Sequence, residues 1–191
     1  MSFEPTRQEA WDLLCEYTKT DSLLKHGLCV EGVMRHFAGL LGEDEDKWGV
    51  IGLIHDLDYE MYPDEHCKKT EEIMRERDIS EEYIHAVISH GYGLCTNVVP
   101  KEKMEMVLYT IDELTGLISA ACLMRPSKSI LDIELKSVKK KYKSPSFAAG
   151  VDRGVIENGC NMLGMELDYV ISEVISGMRK CADEIGLKGN L

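Results

Sequence analysis

The chain has 191 residues, 44% of them hydrophobic and 29% charged, the balance of an ordinary globular domain long enough to bury a core, which excludes a disordered chain. A net charge of −12 excludes general binding to a nucleic-acid polymer, whose phosphates require a basic surface. No apolar run reaches the ~20 residues that a bilayer requires, and the opening Met-Ser-Phe-Glu-Pro has neither the basic nor the apolar region of a signal peptide, so the expectation is a cytoplasmic protein with no membrane partner. Its seven cysteines are odd in number, scattered and without a Cys-x-x-Cys, which argues for reduced packing residues and against a disulfide framework or thiolate zinc site.

The first helix is expected over Glu4 to Tyr17, with Ala10, Leu13, Leu14 and Tyr17 on one side. Ser22 is placed to cap a second, whose stripe of Leu23, His26, Val30, Val33, Met34, Phe37, Leu40 and Leu41 ends at Gly42. His26 lies on that stripe, where by itself it reads as a hydrogen-bonded core histidine, and His36, turned to another face, reads as a surface residue. A third helix begins near Lys47 and runs through Trp48-Gly-Val-Ile-Gly-Leu-Ile-His-Asp56, delivering His55 and Asp56 at its end. The polar, proline-broken stretch from Leu57 to Glu65 predicts a loop.

His66 is expected to open a helix to about Arg77, and Ser80 to cap another carrying Ile84, His85, Val87, Ile88 and His90. Lys101 to Leu123 predicts a long helix with Met104, Leu108, Ile111, Thr115 and Ile118 buried and Asp112 on the edge of that side. A carboxylate on an apolar face is costly unless paired, so Asp112 demands a cation or strong donors. From Ser129 to Lys143 a basic helix is expected. Arg125, Lys128, Lys136, Lys139, Lys140, Lys141 and Lys143 make that region a positive patch on an acidic chain, suited to a small phosphorylated ligand. Two more helices, about Asp152 to Leu163 and Leu167 to Ile185, follow; no alternating strand pattern occurs, and the fold class is all-α.

Together His26, His55, Asp56, His66, His90 and Asp112 are spread over several helices, and inward-facing His and Asp on facing helices are how helical bundles build metal sites. Nitrogen and oxygen ligands suit one or two divalent ions of Mn, Fe, Co, Ni, Zn or Mg.

His26, the pair His55-Asp56 and the distant Asp112 resemble the signature of the HD superfamily of metal-dependent phosphohydrolases, over about residues 20 to 125. His66 and His90 match the two extra histidines of branches that hold two metals. The stretches Asp112-Glu-Leu-Thr-Gly-Leu-Ile118, Arg125-Pro-Ser-Lys-Ser129 and Val138-Lys-Lys-Lys141 are similar to a subgroup of predicted HD hydrolases. The resemblance implies an HD-type helical core over residues 1–125, with the basic helix and C-terminal helices of 126–191 packed on the same domain. Many two-metal relatives read His-Asp-Ile-Gly-Lys where this chain reads His55-Asp-Leu-Asp-Tyr59. The phosphate contact of that missing lysine would have to come from elsewhere, with the segment from Arg125 as the source.

The resemblance implies hydrolysis of a small phosphoester or nucleotide by a metal-activated water, with Asp56 bridging two ions. Arg125, Lys128, Lys139 and Lys140 are the expected substrate-binding cations, and Asp58 the expected proton-handling residue beside the catalytic Asp56. Glu31, Glu60 and Glu113 flank the region without an assigned role, and Cys67 reads as packing. Two alternatives share the ligand set: a di-iron oxygenase of HD type, and a non-catalytic metal- or nucleotide-binding module.

Overall fold

The computed structural model describes residues 3–190, and among these it is all-α, with no strand. The helices are α1 (Arg7–Tyr17), α2 (Asp21–Leu41), α3 (Glu45–Leu53), α4 (Lys68–Glu76), α5 (Glu81–Ser89), α6 (Lys103–Leu123), α7 (Leu135–Tyr142), α8 (Arg153–Leu163) and α9 (Leu167–Lys180). The long α2 is central and packs against α3, α6 and α9, while α8 lies on α6. Its apolar stripe dictates this: Val30, Val33, Met34 and Phe37 are all essentially inaccessible, as are Leu108, Ile111 and Ile118 of α6 and Val170, Ile171, Val174 and Met178 of α9. By length and hydropathy α6 could also cross a bilayer, but it is buried within this bundle, which accounts for its apolar composition.

Local chemistry sets the ends. Thr6 starts α1 with a capping box, its hydroxyl accepting from the Glu9 amide while the Glu9 carboxylate accepts from the Thr6 amide. Asp44 accepts from the amides of Asp46 and Lys47 at the start of α3, and Asp152 caps α8 in the same way. Gly42 closes α2 with φ 73°, a left-handed conformation that a Cβ would disfavour. α8 approaches α6 closely because Gly159 has no side chain: a Cβ there would overlap the Thr110 hydroxyl and lie 3.0 Å from the Thr110 Cα. Gly159→Ala is therefore expected to cost about 1–3 kcal/mol. Thermal denaturation would show this as a fall in Tm of roughly 2–4 °C per kcal/mol, and an unchanged Tm would mean that the two helices part without cost.

Two expectations from the sequence need revision. The basic helix begins at Leu135, not Ser129. Ile130 and Ile133 are spaced like a helical stripe, yet they plug the core from an irregular segment. Their carbonyls accept from the Arg179 guanidinium, and the Ile130 amide donates to Leu187 O, so long-range partners replace the helical ones. His36 is not a surface residue either. α9 covers its face of α2, and its Nε2 lies 2.8 Å from the Glu173 carboxylate.

Candidate metal centre

The end of α3 begins the site. The helix stops at Leu53, and consecutive turns over residues 54–61 present His55 and Asp56 from just beyond its C-terminus, so they lie outside the helix that the sequence predicted would carry them. Opposite them stand His26 from α2, His66 between a short 3-10 turn (Pro63–Glu65) and α4, His90 at the end of α5, and Asp112 from the middle of α6. All six come together, and residues that could hold a metal ion include the groups His26, His55, Asp112 and His55, Asp56, His90.

Their polar atoms form two connected groups. In the first, His26 Nε2 lies 2.9 Å from Asp112 Oδ1 and 3.2 Å from His55 Nε2, and His55 Nε2 lies 3.3 Å from Asp112 Oδ1. In the second, His66 Nε2 lies 3.2 Å from His90 Nε2. Asp56 joins them. Its Oδ2 is 3.3 Å from His55 Nε2 and 3.6 Å from His26 Nε2, and its Oδ1 is 3.5 Å from both His66 Nε2 and His90 Nε2. Ligands at ~2.0–2.2 Å from a shared ion sit roughly 2.8–3.6 Å apart, so these separations fit metal coordination.

The imidazoles are also prepared for it. His55 Nδ1 donates to Gly52 O at 2.8 Å, His90 Nδ1 to Val87 O at 2.5 Å, and His66 Nδ1 to Asp58 Oδ1 at 2.7 Å. With the proton held on Nδ1, each neutral ring turns its Nε2 lone pair inward, the arrangement that metal-binding histidines use. In the metal-free chain the facing carboxylates favour a proton on the inward nitrogen, which a bound cation would displace. Burial opposes a charge on His55, yet the facing carboxylates of Asp56 and Asp112 hold its pKa well above the ordinary value. Burial likewise opposes ionisation of Asp56 and Asp112. The imidazoles of His55, His90 and His26 keep Asp56 well below the usual carboxylate range, and those of His55 and His26 do so for Asp112. This concentration of carboxylates and imidazoles suits a multivalent cation.

Asp58 is placed differently from the role expected of it. It is fully buried behind His66, and its second oxygen accepts from the Thr70 amide at 2.8 Å while the Thr70 hydroxyl accepts from the Asp58 amide at 3.2 Å. It holds the His66 ring and the start of α4, and it does not line the cavity above the cluster.

That cavity, about 420 Å³, is bounded by every member of the cluster except the buried His55, by Leu23, Tyr59, Leu94, Cys95 and Val151, and by Glu113. Burial, reinforced by the charge of neighbouring Asp112, pushes the Glu113 carboxyl up to about 7. Arg125, Lys128, Lys139 and Lys140, the cations expected to meet the substrate, do not line it. Asp112 is mid-helix and Arg125 lies beyond the end of α6, which is itself roughly 16 Å along the axis from Asp112 at 1.5 Å per residue. Arg125 instead pairs with Asp132 at 2.9 Å and Lys139 with Asp168 at 2.6 Å. Lys139 and Lys140 border a separate depression on α7 with Leu135, Lys136 and Lys143. Sequence reasoning did not find Tyr59, Leu94 or Val151. Val151 comes from the turn before α8, whose approach to Glu113 is fixed by the Asp152 amide donating to Glu113 Oε2 at 3.1 Å, a tertiary contact with no local signal.

Comparison of the chain with protein-family models, with curated proteins and with solved structures finds no match.

Proposed function

We propose that the chain is a metal-dependent phosphohydrolase of HD type that cleaves a small phosphoester. The supporting observation is that two donor groups share Asp56 on the floor of a cavity large enough for a small molecule. Divalent ions held there supply Lewis-acid activation of water and neutralise charge on phosphoryl oxygens. The side chains of the chain do the rest. Asp56 ties the two donor groups together, and His55, His66 and His90 keep their Nε2 atoms inward through their Nδ1 partners. Glu113, at the cavity wall and outside the ligand set, is placed to give a proton to the leaving oxygen. Leu23, Tyr59, Leu94 and Val151 offer apolar surface to the organic part of the substrate.

The lining also narrows the substrate. It contains Asp56, Asp112 and Glu113 and no lysine or arginine, so phosphate charge is met by the ions alone. That favours one phosphate over a nucleoside triphosphate. Protein loaded in turn with Mn, Co, Ni, Fe and Mg should release phosphate from members of a phosphoester panel, monoesters foremost. Inactivity over the whole panel with metal demonstrably bound overturns the reading. Glu113→Gln is expected to lower kcat by roughly 10²–10⁴ with metal content unchanged; full activity in that variant would move the proton donor elsewhere.

The absence of cationic lining also favours a second reading, an iron-dependent oxygenase with an uncharged substrate. Oxygen uptake by anaerobically iron-loaded protein supports it, and turnover of a phosphoester with Mg or Zn removes the need for it.

A further inference from the structure

Beside the His66–His90 half of the cluster two sulfurs touch, one of them, Cys95, on the wall of the cavity. Cys67 follows His66 directly and has 1% of its surface exposed; Cys95 lies on the turn after α5 and is exposed. Their Sγ atoms are 2.9 Å apart, although 28 residues separate them in sequence. Among the described residues no other two cysteines make such a contact.

Three features hold them there. Cys67 has φ 68° and ψ −43°, a conformation rare for any residue with a Cβ. Cys95 is fixed by a tight turn in which Gly91 O accepts from the amides of Leu94, Cys95 and Thr96 at 3.0, 3.0 and 3.2 Å. Gly91 itself leaves the space that both sulfurs fill, since a Cβ at this position would run into each of them. Backbone strain, a constrained turn and a missing side chain thus converge on one sulfur–sulfur contact.

The geometry points to a redox modification site: Cys67 and Cys95 form a reversible disulfide, with Cys95 as the sulfur that meets the oxidant and Cys67 as the one that resolves it. A disulfide bond is about 2.05 Å long, so the sulfurs need to approach by only roughly 0.9 Å from their 2.9 Å separation. The oxidant is a hydroperoxide. The Cys95 sulfur attacks the terminal peroxide oxygen, the O–O bond breaks, and the thiol proton leaves with the other oxygen as water or an alcohol, giving a sulfenic acid. The Cys67 sulfur then attacks the Cys95 sulfur, the S–O bond breaks, and the Cys67 proton departs with the hydroxyl as water. Two thiols lose two electrons in total and the peroxide gains them. A dithiol reductant reverses the change by exchange. The bond would join residues directly adjoining His66 and close to His90, so oxidation would strap one half of the cluster. This inference does not depend on the phosphohydrolase reading, and its failure would leave that reading untouched.

The test uses the full chain loaded with redox-inert zinc, freshly reduced, and treated with one equivalent of hydrogen peroxide. Thiol counting and peptide mass mapping should find two of the seven thiols lost, with the peptides containing Cys67 and Cys95 joined and both thiols restored by dithiothreitol. Cys67→Ser should stop at a sulfenic acid on Cys95 that dimedone traps. Thiol loss without a 67–95 cross-link, equal thiol loss in Cys95→Ser, or complete protection of both sulfurs by bound zinc would each overturn the proposal.

Discussion

Asp56→Ala is expected to remove bound metal almost entirely and to reduce phosphoester turnover to background. The carboxylate lies within 3.6 Å of imidazole nitrogens in both halves of the cluster, Oδ2 facing His26 and His55 and Oδ1 facing His66 and His90. Without it the second half keeps two imidazoles and the neighbouring Cys67 sulfur but no carboxylate, and the first half keeps His26, His55 and Asp112 with one carboxylate fewer. Metal catalysis is worth several kcal/mol, and at 1.36 kcal/mol per decade that is a factor of roughly 10³ or more in rate. His66→Ala is the informative comparison, since it disturbs only the second half. Elemental analysis of that variant should find one ion per chain. Equal metal content in Asp56→Ala and the parent chain would show that Asp56 does not bridge.

Asp58→Asn separates a catalytic from a positioning role for this acid. As the carboxylate that accepts hydrogen bonds from His66 Nδ1 and the Thr70 amide, Asp58 acts through His66. Its replacement should weaken metal in the His66–His90 half by roughly 10–100-fold, the usual cost of losing such a partner. The ion held by His26, His55 and Asp112 should be unaffected, because none of those residues contacts Asp58. Titration with Co or Mn would then show one tight and one weakened site, where two tight ones are expected of the parent. Asp58→Ala adds a stability cost of about 1–3 kcal/mol, since the buried Thr70 amide loses its acceptor. Two unchanged affinities together with a lost rate would return Asp58 to the proton-handling role that the sequence suggested.

Much of this arrangement was legible in the sequence, and for a physical reason. Apolar residues at spacings of three and four must share a helix face, so α2, α6 and α9 and the inward placement of His26 and Asp112 follow from periodicity alone. What periodicity cannot supply is the neighbour on each face. His36 was rotated away from His26 as expected, but that face meets α9 and Glu173 instead of water. Ile130 and Ile133 carried a helical spacing into a segment held by Arg179. The cations from Arg125 to Lys143 were visible as a cluster in sequence, yet a one-dimensional cluster does not state which end of the bundle it occupies; most of it lies on α7 beyond α6, with Arg125 and Lys139 already paired to acids. Asp58 was legible only as an extra acid near the His55-Asp56 pair. Its partnership with His66 depends on the turns over residues 54–61 and on the positive φ of Cys67, neither of which the residue types announce.

Anomalous diffraction from crystals of the chain loaded with manganese or cobalt tests the central claim most directly. Two peaks are expected, about 3.5–4 Å apart as in other two-metal sites. One should lie among His26, His55 and Asp112, the other between His66 and His90, with one Asp56 oxygen directed at each. A cluster without anomalous signal in a crystal that has taken up the metal elsewhere would contradict the account.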